Sequence, residues 1–172
     1  MASNKEVVKK LGPCGGSGGI EKSMDFNGID RIVKISIRHA GVIDALTVHF
    51  LRNGSEESTQ QWGGQGGTLS EFHLQPTEYI TSVKGSVGFY DNVFVVRSLK
   101  FETNLGSFGP YGTQEGVPFE LPAITGQIIG FHGRAAGFLD SFGVYVKAGG
   151  TKGGGSTGNG GNSGSSTDYI PF

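Results

Sequence analysis

Residues 136–144 read AGFLDSFGV, and residues 40–48 read AGVIDALTV. Both stretches follow one pattern of Ala, Gly, two apolar residues, Asp, a small residue, an apolar residue, any residue and Val. A third copy fits residues 95–101, where Arg97 takes the position of the aspartate. A pattern that recurs along a chain indicates repeated structural units. We therefore expect three related units, two of which keep an aspartate loop.

Glycine-rich loops recur in the same way. They read GGSGG at residues 15–19, GGQGG at 63–67 and, more weakly, GPYGT at 109–113. Apolar and polar residues alternate with a period of two over residues 31–38, 45–50 and 98–102, which is typical of half-buried strands. Short strands separated by glycine-rich turns, with no convincing helix, predict an all-β sandwich, barrel or prism.

The composition narrows the class of protein. The 172 residues suit one domain, and the 32 glycines show no Gly-X-Y period that would indicate collagen. Twelve Phe and five Tyr argue against disorder throughout. A net charge of −1 without a block of like charge argues against a nucleic-acid partner or a polybasic membrane anchor. No apolar run approaches the roughly 18 residues of a membrane span, so we expect no membrane insertion.

We divide the chain into an N-terminal extension (1–7), one domain (8–147) and a flexible Gly/Ser-rich tail (148–172), which has too few apolar residues to order itself. No apolar segment follows the N-terminus, so no secretory signal is expected. The lone cysteine, Cys14, suits a reducing compartment. These features predict a location in the cytoplasm or nucleus.

Asp44 and Asp140 are the candidate binding residues in the repeated pattern. An ionised carboxylate accepts hydrogen bonds through two oxygens and can take two adjacent hydroxyl groups. Gly41 and Gly137, three residues earlier in each copy, let a backbone approach a ligand closely. The alternative is that each aspartate only caps a turn, which Asp often does. The repetition of the whole pattern favours a binding site for a polyol.

Other chemistry finds little support. The sequence holds no nucleophile elbow, no metal-ligand spacing among its four histidines and no nucleotide-binding glycine motif, so we predict no enzyme, cofactor or metal. His39 and His132 flank the aspartate loops and either touch ligand or are half-buried. Trp62 either stacks on a sugar or covers the end of the core. Cys14 has no basic neighbour, which indicates a structural role.

Several motifs together resemble one known family. Residues 12–19 resemble the opening glycine loop of the jacalin-related plant lectins. Residues 96–104, 108–112 and 116–119 are similar to the middle of those lectins, and residues 129–140 are similar to their C-terminal sugar loop. The resemblance spans nearly all of the predicted domain.

The resemblance implies a β-prism of three four-stranded antiparallel sheets with pseudo-threefold symmetry, and reversible carbohydrate binding without catalysis. It assigns a first sugar site to Gly19, Gly137, Phe138 and Asp140. The sequence departs from the family at Ala136, where the relatives have glycine. If that backbone needs a positive φ, alanine costs about 1 kcal/mol there.

Some members of the family carry a second site on a repeated unit. The matching residues here are Gly67, Gly41, Val42 and Asp44. Because Arg97 replaces the aspartate in the third unit, we expect that unit to bind nothing.

The resemblance also indicates the ligand and its setting. The segment Gly18-Gly19-Ile20 runs on unbroken from Met1, and uncleaved chains of this family imply mannose and glucose rather than galactose. The expected partners are therefore glycans or glycoproteins that contain these sugars, in a defence or stress response. Millimolar single sites are worth only about 4 kcal/mol, so we expect a homodimer or higher homo-oligomer for avidity. The alternative is a non-sugar protein-interaction or scaffolding module on the same prism.

Overall fold

The computed structural model describes residues 7–149, and the predicted tail lies outside the described residues from residue 150 onward. The described part is all-β, as predicted, and no helix in it is long and apolar enough to cross a membrane. Its thirteen strands are β1 (Val8–Gly15), β2 (Ile20–Ser23), β3 (Ile29–His39), β4 (Ile43–Arg52), β5 (Ser55–Ser58), β6 (Trp62–Gly63), β7 (Thr68–His73), β8 (Ile80–Tyr90), β9 (Val93–Thr103), β10 (Ser107–Gly112), β11 (Val117–Pro122), β12 (Gly126–Ala135) and β13 (Leu139–Ala148).

The three alternating stretches of the sequence lie in β3, β4 and β9, which confirms them as strands. In β3 the side chains of Ile35 and Ile37 are fully buried and Ser36 between them is half-buried, because alternate residues of a strand face the core. The strand β13 shows no such alternation. Residues 139–146 are all buried, because this strand is covered on both faces.

The strands form three groups. We call β1, β2, β12 and β13 the first unit, β3–β7 the second unit, and β8–β11 the third unit. By hydrogen bonding the structure has two sheets, of eight and five strands, rather than the predicted three sheets of four. The pair Ile128–Ile80 joins β12 to β8 and so merges the first and third units into one sheet. The second unit has five strands because β5 and β6 pair with successive parts of β4.

Aromatic side chains from all three units meet in the core. Phe131 and Phe142 of the first unit stack with ring centroids 5.0 Å apart. Phe101 of the third unit lies 5.2 Å from Phe72 of the second. Burying one such ring contributes about 1.5–3 kcal/mol. This core fixes the units so that their loops touch, because a Cβ on Gly64 of the second unit would collide with backbone of the first at residue 137.

Candidate functional site

The first candidate site forms where the glycine loop after β1 meets the start of β13. The N–H of Gly16 donates to the backbone carbonyl of Asp140 at 2.8 Å. A Cβ on Gly18 would come 2.9 Å from Asp140 Oδ1, and one on Gly19 would come 2.5 Å from Oδ2. The backbone at Gly19 also has a φ of +71°, which disfavours other residues. The carboxylate therefore lies directly against two glycines, and a larger residue at either position would collide with it.

The second candidate site repeats this geometry in the second unit. The N–H of Gly64 donates to the carbonyl of Asp44 at 2.9 Å. A Cβ on Gly66 would come 2.6 Å from Asp44 Oδ1, and one on Gly67 would come 2.5 Å from Oδ2. The φ of Gly67 is +71°, as at Gly19. Each predicted aspartate is thus in contact with its predicted glycine.

The remaining predicted residues lie in the connections before the two aspartates. Residues 136–138 join β12 to β13, and residues 40–42 join β3 to β4. In each connection the first N–H donates to the third carbonyl, at 3.0 and 3.1 Å. Gly137 is exposed and Phe138 is half-buried, whereas Gly41 is half-buried and Val42 is only 2% exposed. The two connections share a fold but differ in burial.

The alanine at the start of the first connection causes no strain. Ala136 is not among the non-glycine residues with a positive φ, and Ala40 stands at the matching place in the second unit. The cost of about 1 kcal/mol that a positive φ would carry therefore does not arise.

Both carboxylates are buried and incompletely bonded. Asp140 is 4% exposed and Asp44 is 6% exposed, and within residues 7–149 the Oδ2 atom of each has no hydrogen-bond partner. Burial raises the pKa of both carboxyl groups above the ordinary value of an aspartate. Such an oxygen is costly to leave unpaired, so a donor that reaches it gains free energy.

Two arginines that the sequence reasoning missed hold the glycine loops. Arg134 donates from Nε and Nη2 to the carbonyls of Gly18 and Gly19, at 3.0 and 2.9 Å. Arg38 makes the matching pair of bonds to the second loop, at 3.0 and 3.3 Å. Their charges oppose the effect of burial on the pKa of the nearby aspartates. The repeat aligned from Ala40 and Ala136 would have included both arginines if extended by two residues.

The third unit keeps the backbone of the site without the aspartate. The N–H of Thr113 donates to the carbonyl of Arg97 at 2.9 Å, which matches the bonds at the two aspartates. The predicted third loop at 109–113 was therefore misaligned. The loop begins at Gly112 and ends at Gly116, whose φ values of +81° and +94° match the positive φ at both ends of the other loops.

The other residues singled out in the sequence have structural surroundings. Trp62 is 4% exposed and belongs to the hydrophobic core. His132 is 3% exposed and bonds a backbone carbonyl of β1, and burial lowers its pKa. Burial raises the pKa of the Cys14 thiol, which disfavours the thiolate. His39 alone borders a site, where its Nδ1 accepts an N–H from the third unit at 3.0 Å. No cluster of metal-binding side chains occurs among the described residues.

A family model for jacalin-like lectin domains matches residues 11–145. The chain belongs to the jacalin-like lectin domain family. This confirms the resemblance inferred from the sequence, and it favours a lectin over a scaffolding module. Horcolin of Hordeum vulgare is 37% identical to this jacalin-like chain over 140 residues, which cover 80% of the chain and 95% of horcolin.

Two further similarities concern proteins named for their sugars. The mannose/glucose-specific lectin of Parkia platycephala is 37% identical over 146 residues, covering 80% of the jacalin-like chain and 31% of that lectin. A solved mannose-binding jacalin-related lectin of Ananas comosus superposes with a TM-score of 0.78 and 38% identity. That match covers 82% of this chain and 98% of the solved chain.

Proposed function

We propose that this jacalin-like lectin binds mannose and glucose units of glycans at two sites. The first consists of Gly19, Gly137, Phe138 and Asp140. The second consists of the matching residues Gly67, Gly41, Val42 and Asp44. The observation that carries the proposal is the buried Oδ2 of each aspartate, which has no hydrogen-bond partner within residues 7–149 and lies against glycines of the adjoining loop.

The surroundings of the carboxylate favour hydroxyl groups as its partners. Because at most 6% of either aspartate is exposed, only a small donor reaches it. The nearby Arg134 and Arg38 favour the ionised carboxylate, which accepts bonds from two adjacent hydroxyls. The backbone N–H groups of Gly137 and Phe138, and of Gly41 and Val42, donate to the same hydroxyl oxygens.

The arrangement supports reversible binding without catalysis. Enzymes that hydrolyse glycosides use a pair of carboxyl groups at the scissile bond. Among residues 7–149, the charge that acts on the Asp140 carboxyl is that of Arg134, and no carboxyl group of that range acts on it. A lone carboxylate of this kind can grip a sugar but lacks the partner that such hydrolysis uses.

The preference for mannose and glucose over galactose rests on the ligands for which the relatives are named. In the proposed complex the aspartate and the backbone donors grip the 4- and 6-hydroxyls. Galactose inverts the hydroxyl at carbon 4 and leaves a polar group unpaired, at a cost of about 1–3 kcal/mol.

The proposal extends to the architecture and the assembly. The three units represent the three faces of a β-prism, with the Ile128–Ile80 pair as the bridge between two faces. Weak single sites need multivalency, which two sites per chain and a homodimer or larger homo-oligomer would provide. A location in the cytoplasm or nucleus belongs to the same proposal and is tested by microscopy of the tagged full chain.

Titration calorimetry with methyl α-mannoside tests the proposal. We expect a stoichiometry near two, near one for either Asp140→Asn or Asp44→Asn, and no measurable binding for the double variant. Asparagine should be tolerated at both positions, because a raised carboxyl pKa means that folding is less favourable when the group is ionised at neutral pH. Asp25→Asn makes the same change at an exposed aspartate and serves as the control.

Two results would contradict the assignment. Unchanged binding in the double variant would place the sugar elsewhere on the chain. A stoichiometry near one that Asp44→Asn leaves unaltered would remove the second site and keep the first. Methyl α-galactoside should bind at least tenfold more weakly, and a galactose preference would overturn the proposed specificity.

A further inference from the structure

Arg97 occupies the place in the third unit that an aspartate occupies in the other two. Its backbone carbonyl accepts the loop N–H of Thr113, as the carbonyls of the two aspartates accept theirs. Arg97 is only 9% exposed, so its guanidinium lies inside the position where a third sugar site would have formed. A buried arginine needs partners for its donors, and those partners show what it does.

The three nitrogens of this guanidinium bond to three different segments. Nε donates to the carbonyl of Gly41 at 2.9 Å, and Nη1 donates to the carbonyl of Phe89 at 3.1 Å. Nη2 pairs with Glu115 Oε2 at 3.2 Å. Arg97 thus ties the connection of the proposed second sugar site to the β8–β9 hairpin and to the third glycine loop.

An aromatic ring strengthens the same link. The guanidinium carbon of Arg97 lies 5.3 Å from the ring centroid of Tyr90, a distance typical of a cation–π contact. The Tyr90 ring in turn covers Gly41, since a Cβ there would come 2.9 Å from its Cε2. The connection is therefore held at its carbonyl and on its open face.

Further bonds from the third unit hold the residues just before Gly41. The hydroxyl of Thr113 donates to the carbonyl of Ala40 at 3.1 Å, and the N–H of Gly112 donates to His39 Nδ1 at 3.0 Å. Within the described residues, no side-chain hydrogen bond from the third unit reaches the matching residues 135–137 of the first site. The third unit therefore holds the second site by hydrogen bonds, whereas at the first site its Tyr90 ring packs against the Phe138 ring.

We propose that Arg97 is a positioning residue for the second sugar site, holding the connection 40–42 in the shape that binds sugar. This inference rests on the proposed function of that site. A ligand binds more tightly to a loop that is already in its bound shape. Lysine at this position keeps the charge but cannot bridge three acceptors in a fixed fork. Arg97→Lys should therefore weaken the second site about fivefold and leave the first unchanged.

The experiment isolates each site before changing Arg97. The Asp140→Asn variant reports the second site and Asp44→Asn reports the first, each titrated with methyl α-mannoside in the presence and absence of Arg97→Lys. Arg52→Lys is the matched control, because Arg52 also bonds backbone carbonyls and a glutamate but lies away from both sites. Glu115→Gln removes the negative charge that pairs with Arg97 at an exposed position and should give about a twofold loss at the second site alone.

Amide hydrogen exchange in the sugar-free protein separates this inference from the proposed function. Faster exchange of the Ala40 N–H, which bonds the Val42 carbonyl, in Arg97→Lys, with no change at the Ala136 N–H, supports the positioning role. Equal losses of affinity at both sites, or unchanged affinity and unchanged exchange at the second site, overturn it. If the Asp140→Asn protein binds no mannoside at all, the second sugar site itself fails, and the exchange data alone decide the role of Arg97.

Discussion

The loops around Asp140 and Asp44 have the same backbone but different neighbours. In both, a glycine with a φ of +71° covers the carboxylate, and an arginine holds the glycine loop. Around Gly137, however, a Cβ would meet nothing within 4 Å, whereas at Gly41 it would meet the Tyr90 ring. The sequence of each unit thus determines the position of its carboxylate and of the glycine loop around it. The adjoining unit determines how open and how rigid each site is.

The largest expected effect concerns what the two sites share. Gly19→Ala should lower the sugar affinity of the first site at least tenfold, which is about 1.4 kcal/mol of binding free energy. Gly67→Ala should lower the affinity of the second site by the same factor. Each added Cβ would lie 2.5 Å from an aspartate oxygen and must displace the carboxylate. Calorimetry on each variant should show the loss of one site of the two.

The strain of alanine at a positive φ needs its own control. Gly28 has the same φ of +71°, but its added Cβ would meet only the side chain of Asn53, at 3.2 Å. Gly28→Ala should lower stability without changing either affinity. If Gly28→Ala weakens sugar binding as much as Gly19→Ala does, the contact with the carboxylate is not what matters.

A smaller effect is expected from the two arginines. Arg134→Gln should weaken the first site about threefold at neutral pH, and Arg38→Gln should weaken the second to a similar extent. Sugar hydroxyls donate to the ionised carboxylate, so affinity is lost as the pH falls through the pKa of the aspartate. Burial already raises that pKa, and removing the arginine charge raises it further. In these variants the loss of sugar affinity on acidification should therefore begin at a higher pH. An unchanged pH dependence would contradict the electrostatic role of the arginines.

Acidification should distinguish the two sites through one histidine. His39 borders the second site, while Ala135 takes its place in the first. His39 Nδ1 accepts a hydrogen bond from Gly112, Nε2 bonds Ser70, and burial lowers its pKa despite the nearby Asp44 carboxylate. The bond needs the neutral ring, so it is present above the ordinary histidine pKa and lost as the pH falls through the lowered one.

We expect protonation of His39 to lower the sugar affinity of the second site about a further twofold at acidic pH. The variant His39→Ala should not show this additional loss. Calorimetry of the single-site variants between about pH 7.5 and 5 measures it, with His73→Ala as a control at an exposed histidine. Identical pH profiles at the two sites would show that the histidine bond does not affect binding.

The sequence predicted those parts of the sites that depend on the repeat. The resemblance to the family implied the pairing of Asp140 with Gly19, and the repeat carried it over to Asp44 and Gly67, because repeated units fold alike. The surroundings do not, since Tyr90 reaches Gly41 only through packing between units. For the same reason the sequence left two interpretations of Trp62 open, and the structure places its side chain in the core. The five-stranded sheet was missed because β5 and β6 replace one strand.

The smallest expected effect comes from adding a methyl group at Gly137, which has open space beside it, and at Gly41, which the Tyr90 ring covers. Neither Gly137 nor Gly41 has a positive φ, so alanine is tolerated by the backbone at both. Gly137→Ala should leave the melting temperature within about 1 °C, because the new methyl group meets no atom. Gly41→Ala should lower it by about 1–2 °C, because the Tyr90 ring must turn away and weaken its contacts with Arg97 and with the Phe138 ring, 5.7 Å distant.

A double-mutant cycle assigns that difference to the ring. In a Tyr90→Ala background the methyl group at position 41 has room, so Gly41→Ala should cost no more than Gly137→Ala. Thermal unfolding of the four proteins measures the coupling, which should be about 0.5 kcal/mol and should vanish for the matching cycle with Gly137. If the cost at position 41 persists without the ring, Tyr90 is not what separates the two sites, and the bond from Arg97 to the Gly41 carbonyl is left as the feature that makes the second connection less tolerant.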